Sequence, residues 1–356
     1  MRQFKCNCGN SVFFENTQCV ACGSELGWCP ACSSLRSITQ DSNGYYRCGH
    51  ESCGLVLSKC HNYAVEHVCN RCVVADPNSA TQQNEELRLC DYCQFNDTIP
   101  DLSVADNREK WLRLEHGKRR LLYTLDLLRL PYGEVREDEG FALSFDFKGD
   151  VIPERRWWWA MGQEERVYTG HSGGKITINL READHVEREK ARVSFNEAHR
   201  TIVGHFRHEI GHYYWDLLVK GRCEIDCINI FGDHEKPNYG DALKKYYSDG
   251  PPADWHTRYI SSYAAMHPWE DFAETFATYL NMVTVLDTAQ NMGFISGMDV
   301  TQAELETMTD QYARLGVLFN EMNRSMGLLD LVPKILGSAI IVKLSFIHNL
   351  LRNAAK

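Results

Sequence analysis

Two histidines four residues apart with a glutamate between them, His208-Glu209-Ile210-Gly211-His212, are the residues of this chain best placed to do chemistry. On a helix, positions i and i+4 lie one above the other on the same face, so His208 and His212 can ligate one metal ion. Glu209 then sits beside the metal, where it can take a proton from a water molecule. The flanks predict a helix from Ala198 to Lys220, without proline and with Ile202, Phe206, Ile210 and Leu217 as its apolar stripe. His205, one turn from His208, reads as a packing residue or a partner of a ligand. The competing reading of the motif is a chance match in a histidine-rich helix.

A catalytic zinc needs three protein ligands and one open position. The best source of a third is Ser261 to Phe276, where Pro268 suits the first turn of a helix. Trp269, Phe272, Phe276, Tyr279 and Leu280 would form its buried stripe, while Glu270 and Glu274 share a different, polar face. One carboxylate can ligate the metal while its i+4 neighbour hydrogen-bonds a zinc-bound histidine. His267 and Asp271 are the other candidate third ligands, and a solvated acidic face is the competing reading of the glutamates.

Fifteen cysteines are the next feature, thirteen of them between Cys6 and Cys93 and many in C-x-x-C pairs. The start of the chain runs into cysteines without an apolar signal region. A cytoplasmic location is therefore expected, in which thiols stay reduced and the pairs become zinc knuckles rather than disulfides. Residues 1–27 offer Cys6, Cys8, Cys19 and Cys22, and residues 28–58 offer Cys29, Cys32, Cys48 and Cys53, with His50 able to replace Cys48. Residues 59–100 hold five thiols, Cys60, Cys69, Cys72, Cys90 and Cys93. Spacing favours the last four, and Cys60 with Cys69 is the competing first half. A tetrahedral thiolate site replaces a core too small to fold alone, so each quartet predicts structural zinc. Cys223 and Cys227 lack a second pair and read as plain thiols.

At 356 residues, 44% apolar and 24% charged, the chain has room for two or three domains. Its net charge of −10 argues against a general nucleic-acid or anionic-membrane binder. Residues 1–100 carry 7 Lys plus Arg against 10 Asp plus Glu. The ribbons are therefore expected to bind a protein partner or to be structural, not to grip phosphates. The apolar stretch from Ile335 to Leu351, interrupted by Lys343 and His348, is short of a bilayer span and reads as a core or docking helix. The segment from Asp76 to Glu86 reads as a polar loop. A helix is expected from Asn107 to Leu130, with Lys118-Arg119-Arg120 as a solvated face, and then a strand from Phe141 to Phe147. Trp157-Trp158-Trp159 cannot all share one face. The Gly173-Gly174 turn leads into Ile176, Ile178 and Leu180, a half-buried strand expected at a sheet edge where an extended peptide could pair.

Residues 205–216 and 263–280 resemble the gluzincin metallopeptidases, and most closely the lethal-factor type, with E-x-x-A-E and a tyrosine seven residues before the ligand glutamate. The resemblance implies Glu270 as ligand, Glu274 as partner of a zinc-bound histidine, and Tyr263 as a phenol donating to the transition-state oxyanion. Phe13 to Asn16, Asn96 to Leu102, Lys118 to Leu125, Gly204 to Trp215 and His267 to Leu280 are similar to uncharacterised bacterial zinc-binding metallopeptidases with an N-terminal zinc ribbon. That similarity implies Cys60, Cys69, Cys90 and Cys93 as the third structural site, with Cys72 as the alternative. The quartet at Cys29, Cys32, Cys48 and Cys53 is an addition to the family pattern.

The expected architecture is α+β. Zinc ribbons of small β structure over residues 1–100 (about 1–27, 28–58 and 59–100) precede a mainly helical, zincin-like domain over 101–356 with a small edge-strand sheet. The expected function is a zinc metallopeptidase with one catalytic and about three structural zinc ions, acting on a protein or peptide substrate. The ribbons would serve structure or recognition. The alternative is a catalytically silent protein-binding scaffold.

Overall fold

A computed structural model of the chain describes residues 1–76, 88–132, 142–150, 167–194, 200–332 and 336–355. All but one residue of the expected polar loop, the three tryptophans and Phe141 lie outside them.

The N-terminal third is built of short strands around clustered cysteines. Strands β1 (Phe4–Lys5) and β2 (Ser11–Val12) form a hairpin. A five-stranded antiparallel sheet follows, in the order β3 (Leu26–Cys29), β4 (Ser34–Gln40), β5 (Tyr46–Cys48), β6 (Val56–Lys59) and β7 (Cys72–Val74). Helix α1 (His61–Ala64) makes one turn after β6. Strands this short have little core of their own. Phe4 and Phe14 each pack edge-on against Trp28, and Phe14 and Trp28 pack edge-on against Tyr123, which belongs to the next helix.

Strand β8 (Asn96–Thr98) joins a second sheet, in the order β10 (Gly170–Ser172), β11 (Lys175–Asn179), β9 (Ser144–Lys148), β8. Strand β11 runs parallel to β9 and antiparallel to β10, with Ile176 opposite Phe145 and Ile178 opposite Phe147. The half-buried strand expected at the edge is therefore interior. Among the described residues the edge next to it is β10, whose three residues Gly170, His171 and Ser172 carry no alternating apolar signal.

The rest is helical. Helix α2 (Asn107–Leu127) buries Trp111, Leu114, Leu121, Leu122 and Leu125, and α3 is His185–Ser194. Helix α4 (Ile202–Tyr214) is capped by Thr201, whose hydroxyl accepts from the Gly204 amide at 3.0 Å, while its expected start at Ala198 lies outside the described residues. A π-helical turn, Trp215–Val219, ends it. Then come α5 (Glu224–Phe231), α6 (Tyr239–Asp249), α7 (Pro268–Asn291), α8 (Leu305–Ser325) and α9 (Ser338–Ala354). The apolar stretch near the C-terminus is the core helix α9, burying Ile340, Leu344, Ile347 and Leu351. Among the described residues no helix is long and apolar enough to cross a membrane.

The basic cluster on α2 is not a solvated face. Lys118 and Arg119 are buried, at 0% and 1% exposed, and only Arg120 reaches the surface. Lys118 pairs with the equally buried Glu115 at 2.9 Å and donates to Asn96 Oδ1, while Arg119 donates to Asn70 Oδ1. A charge run on a helix resembles a solvent face until the neighbouring element supplies its partners, and here residues 70 and 96 supply them. Removing one partner of a buried pair leaves the other charge uncompensated, which costs about 3–5 kcal/mol. Lys118→Met should lower the unfolding free energy by about that amount in urea titration of the full chain.

Candidate functional site

The central site depends on how closely two helices approach. Gly211 of α4 faces Ala273 of α7 so tightly that a Cβ at 211 would lie 2.9 Å from Ala273 Cα. That contact sets the His208 and His212 face of α4 against the Glu270 and Glu274 face of α7. The glutamates therefore do not form a solvated acidic face: Glu270 is 2% exposed and Glu274 is half-buried.

Glu270 Oε2 lies 2.9 Å from His208 Nε2 and 3.5 Å from His212 Nε2, and the two imidazole nitrogens are 3.1 Å apart. Despite these short distances, Glu270 Oε2 has no hydrogen-bond partner in acceptable geometry. Burying a carboxylate oxygen in that state is costly. The three donor atoms, one from each residue, lie within 4.8 Å of one another, close enough to share one cation, so the residues fit a zinc ion. His208 Nδ1 is 2.7 Å from Glu274 Oε1, whose other oxygen accepts from Ser261 Oγ at 2.7 Å. With its proton held on Nδ1, His208 turns the Nε2 lone pair inward. His212 lacks such a partner at Nδ1; the Trp269 ring covers it, centroids 3.9 Å apart.

The electrostatics point the same way. Burial disfavours a charged His208, yet the carboxylates of Glu270 and Glu274 beside it outweigh burial and push the imidazole well above its usual range. Burial would raise Glu270, but His212 and His208 hold it well below the ordinary carboxylate range. The cluster is built to hold positive charge.

Other expected residues are distributed around this centre. Glu209 is buried on α4 between the two histidines. The Tyr263 ring lies 6.0 Å from that of His208, and burial followed by Glu270 pushes its phenol far up, so it remains a proton donor. His205 faces away: its Nδ1 is 3.0 Å from Glu182. His267 caps α7 with Nδ1 accepting from the Trp269 amide, and its Nε2 lies 3.1 Å from the Pro237 carbonyl oxygen. Asp271 pairs with Lys343 of α9 at 2.6 Å. Neither His267 nor Asp271 joins the cluster. Three residues that sequence reasoning missed touch it: Tyr239 donates to Glu270 Oε1 at 2.8 Å, Ser261 binds Glu274, and Trp269 covers His212. Tyr239 carried no local signal, because 31 residues separate it from Glu270.

Three four-cysteine clusters lie in the N-terminal third: Cys6, Cys8, Cys19, Cys22; Cys29, Cys32, Cys48, Cys53; and Cys60, Cys69, Cys90, Cys93. Close Sγ–Sγ pairs within them measure 3.6 to 3.8 Å. A tetrahedral zinc with Zn–S near 2.3 Å sets its sulfurs about 3.8 Å apart, whereas a disulfide needs about 2.05 Å. These clusters fit structural zinc. Gly9 and Gly23, at φ +85° and +73°, supply the left-handed turns behind the first site. His50 stays outside the second, beside Ser52. Cys72 stays outside the third, its sulfur against Gly27. Amides also point at third-site sulfurs, Arg71 N to Cys69 and Cys90 N to Cys60, each at 3.3 Å.

Gly211→Ala tests the helix approach, because the added methyl must push α4 and α7 apart. The full chain carrying it should lose the ion of the histidine site and keep those of the cysteine sites, read as one zinc fewer by elemental analysis.

The family model described as "Putative zinc-binding metallo-peptidase" matches residues 107–350, and a zinc-ribbon domain model matches residues 3–104. Uncharacterised proteins of Mycobacterium bovis and Mycobacterium tuberculosis are 34% identical over 364 residues, covering 100% of this chain and 96% of theirs. No solved structure matches. Matched by the first model from α2 to α9, where the converging histidines and glutamate lie, the chain belongs to this zinc-binding metallo-peptidase family and carries the zinc-ribbon domain ahead of it.

Proposed function

We propose that the chain is a zinc-dependent peptidase that hydrolyses peptide bonds, with His208, His212 and Glu270 holding the catalytic ion. The observation that supports this most is the gathering of three donor atoms within 4.8 Å of one another, two of them on buried residues, with Glu209 on the same helix as the histidines. A bound Zn²⁺ supplies a Lewis acid and lowers the pKa of water towards about 7. The Glu209 carboxylate takes a proton from the attacking water and later delivers one to the leaving amine. Glu274 keeps the Nδ1 proton on His208, and Ser261 keeps Glu274 in place. The Tyr263 hydroxyl donates to the oxyanion formed from the scissile carbonyl.

An extended peptide is the substrate form that suits β10, which among the described residues is a sheet edge beside α4, where His171 packs edge-on against Tyr213. The cysteine clusters act as structural zinc sites, and the acidic ribbons offer a surface for a protein partner rather than for nucleic acid. Fifteen cysteines, none in a disulfide, suit a reducing compartment such as the cytoplasm.

Zinc counting tests the site. Wild type should hold about four ions, three in cysteine sites and one more, and His208→Ala and Glu270→Ala should each hold one fewer. Glu209→Gln should keep all the zinc while its turnover of a peptide library falls about 10²–10⁴-fold, the usual worth of a general base. Glu209→Gln as fast as wild type, or wild type inert on every peptide offered, would favour the silent-scaffold reading. Tyr263→Phe should lower kcat about 10²–10³-fold, and an unchanged kcat would remove the tyrosine from the mechanism.

A further inference from the structure

The reaction above gives the Tyr239 hydroxyl no task, yet it donates to Glu270 Oε1 at 2.8 Å while Glu270 Oε2 lies against the imidazoles. We propose that Tyr239 is a positioning residue that reserves Oε1, so that Glu270 presents the single oxygen Oε2 toward His208 and His212. The inference rests on the metal-site reading above and deepens it.

A carboxylate can offer a cation one oxygen or two. A buried glutamate beside a divalent ion can offer both when neither is engaged, and the second would then compete for the position a hydrolytic site must leave open. Engaging one oxygen with a neutral phenol leaves the charge available to the ion. Tyr239 is well fixed for this task. It is the first residue of α6, which Asn238 caps by accepting from the Gly240 and Asp241 amides at 3.0 and 3.4 Å. Its ring packs edge-on against His267 and Trp269, at 5.2 and 6.1 Å between centroids. Those residues lie either side of Pro268, where α7 begins and Glu270 is carried. The His267–Pro237 contact at 3.1 Å ties the segment before Tyr239 to the same place. The Tyr239 and Tyr263 phenols lie close enough to influence each other, and Tyr239 serves the ligand while Tyr263 serves the substrate.

The test uses the full chain and compares Tyr239→Phe with Tyr246→Phe. Tyr246 is on the same helix, but its hydroxyl reaches Ser262 Oγ at 3.5 Å rather than a ligand. Affinity for the ion that His208→Ala loses is measured by competition with a chelator, and the visible spectrum is recorded with cobalt in that site. Partners of metal ligands typically contribute 10–100-fold in metal affinity. Tyr239→Phe should therefore bind the ion about 10–100-fold more weakly, with an altered cobalt spectrum and intact cysteine-site zinc. Tyr246→Phe should match wild type in all three. Wild-type affinity and spectrum in Tyr239→Phe would overturn the proposal, as would an equal loss in Tyr246→Phe, which would trace the effect to the folding of α6. A wild type holding three ions instead of four would remove the metal-site reading, and this inference with it.

Discussion

Two imidazoles and a carboxylate are held within a few ångströms of one another where water is nearly excluded, and the surrounding helices are arranged to keep them there. The side chains of His212 and Glu270 are 4% and 3% exposed, so their polar atoms cannot be satisfied by solvent. A buried charge without partners costs several kcal/mol, which makes the exact spacing of α4 and α7 an energetic matter. Gly211 against Ala273 sets that spacing. On its other flanks α4 is fixed by Phe206, which packs on Phe145 and Phe147 of the sheet, and by α2, where Gly117 leaves room for Ile202 and Phe206. Small residues stand where helices touch, and large ones fill the space behind.

The ribbons take part in this support. Asn70 lies one residue from Cys69, so a metal in the third cysteine cluster would fix the side chain that accepts from buried Arg119 of α2. Asn70 also donates to the Phe14 carbonyl at 2.7 Å, linking that cluster to the first ribbon. Asn96, at the start of β8, does the same for the Lys118–Glu115 pair. Short strands with thin cores would gain rigidity from bound metal, and these two asparagines link those strands to α2.

Much of the site was legible because helical spacing is local. The i, i+4 pairs His208 with His212 and Glu270 with Glu274 announce one face each, and proline before Glu270 announces where its helix starts. The cysteine quartets were legible for the same reason, since each knuckle is a local turn. The misreadings came where partners are distant. Lys118 and Arg119 looked solvated because Asn70 and Asn96 are 49 and 22 residues away. Strand β10 went unseen because pairing with β11, not residue type, makes Gly170–Ser172 a strand. The choice between Cys60 and Cys72 could not be made from spacing: in β7 the Cys72 sulfur is carried to Gly27, away from Cys69, its neighbour in sequence.

The charged residues beside the ligands follow from the same geometry. Successive residues on a helix point about 100° apart, so the neighbour of an inward-facing ligand faces another element. Arg207, just before His208, reaches across to α7, donating to Asn281 Oδ1 and, at 2.9 Å, to Thr284 Oγ1. Asp271, just after Glu270, reaches α9 and meets Lys343, which also donates to the Arg258 carbonyl at 2.7 Å. Burial, offset in part by Lys343, raises Asp271 to about 7. Each of the two helices is therefore clamped by the residue next to its member of the cluster. Asp271 cannot take the place of Glu270 in the cluster, because the rotation that brings Glu270 to the histidines turns Asp271 toward α9.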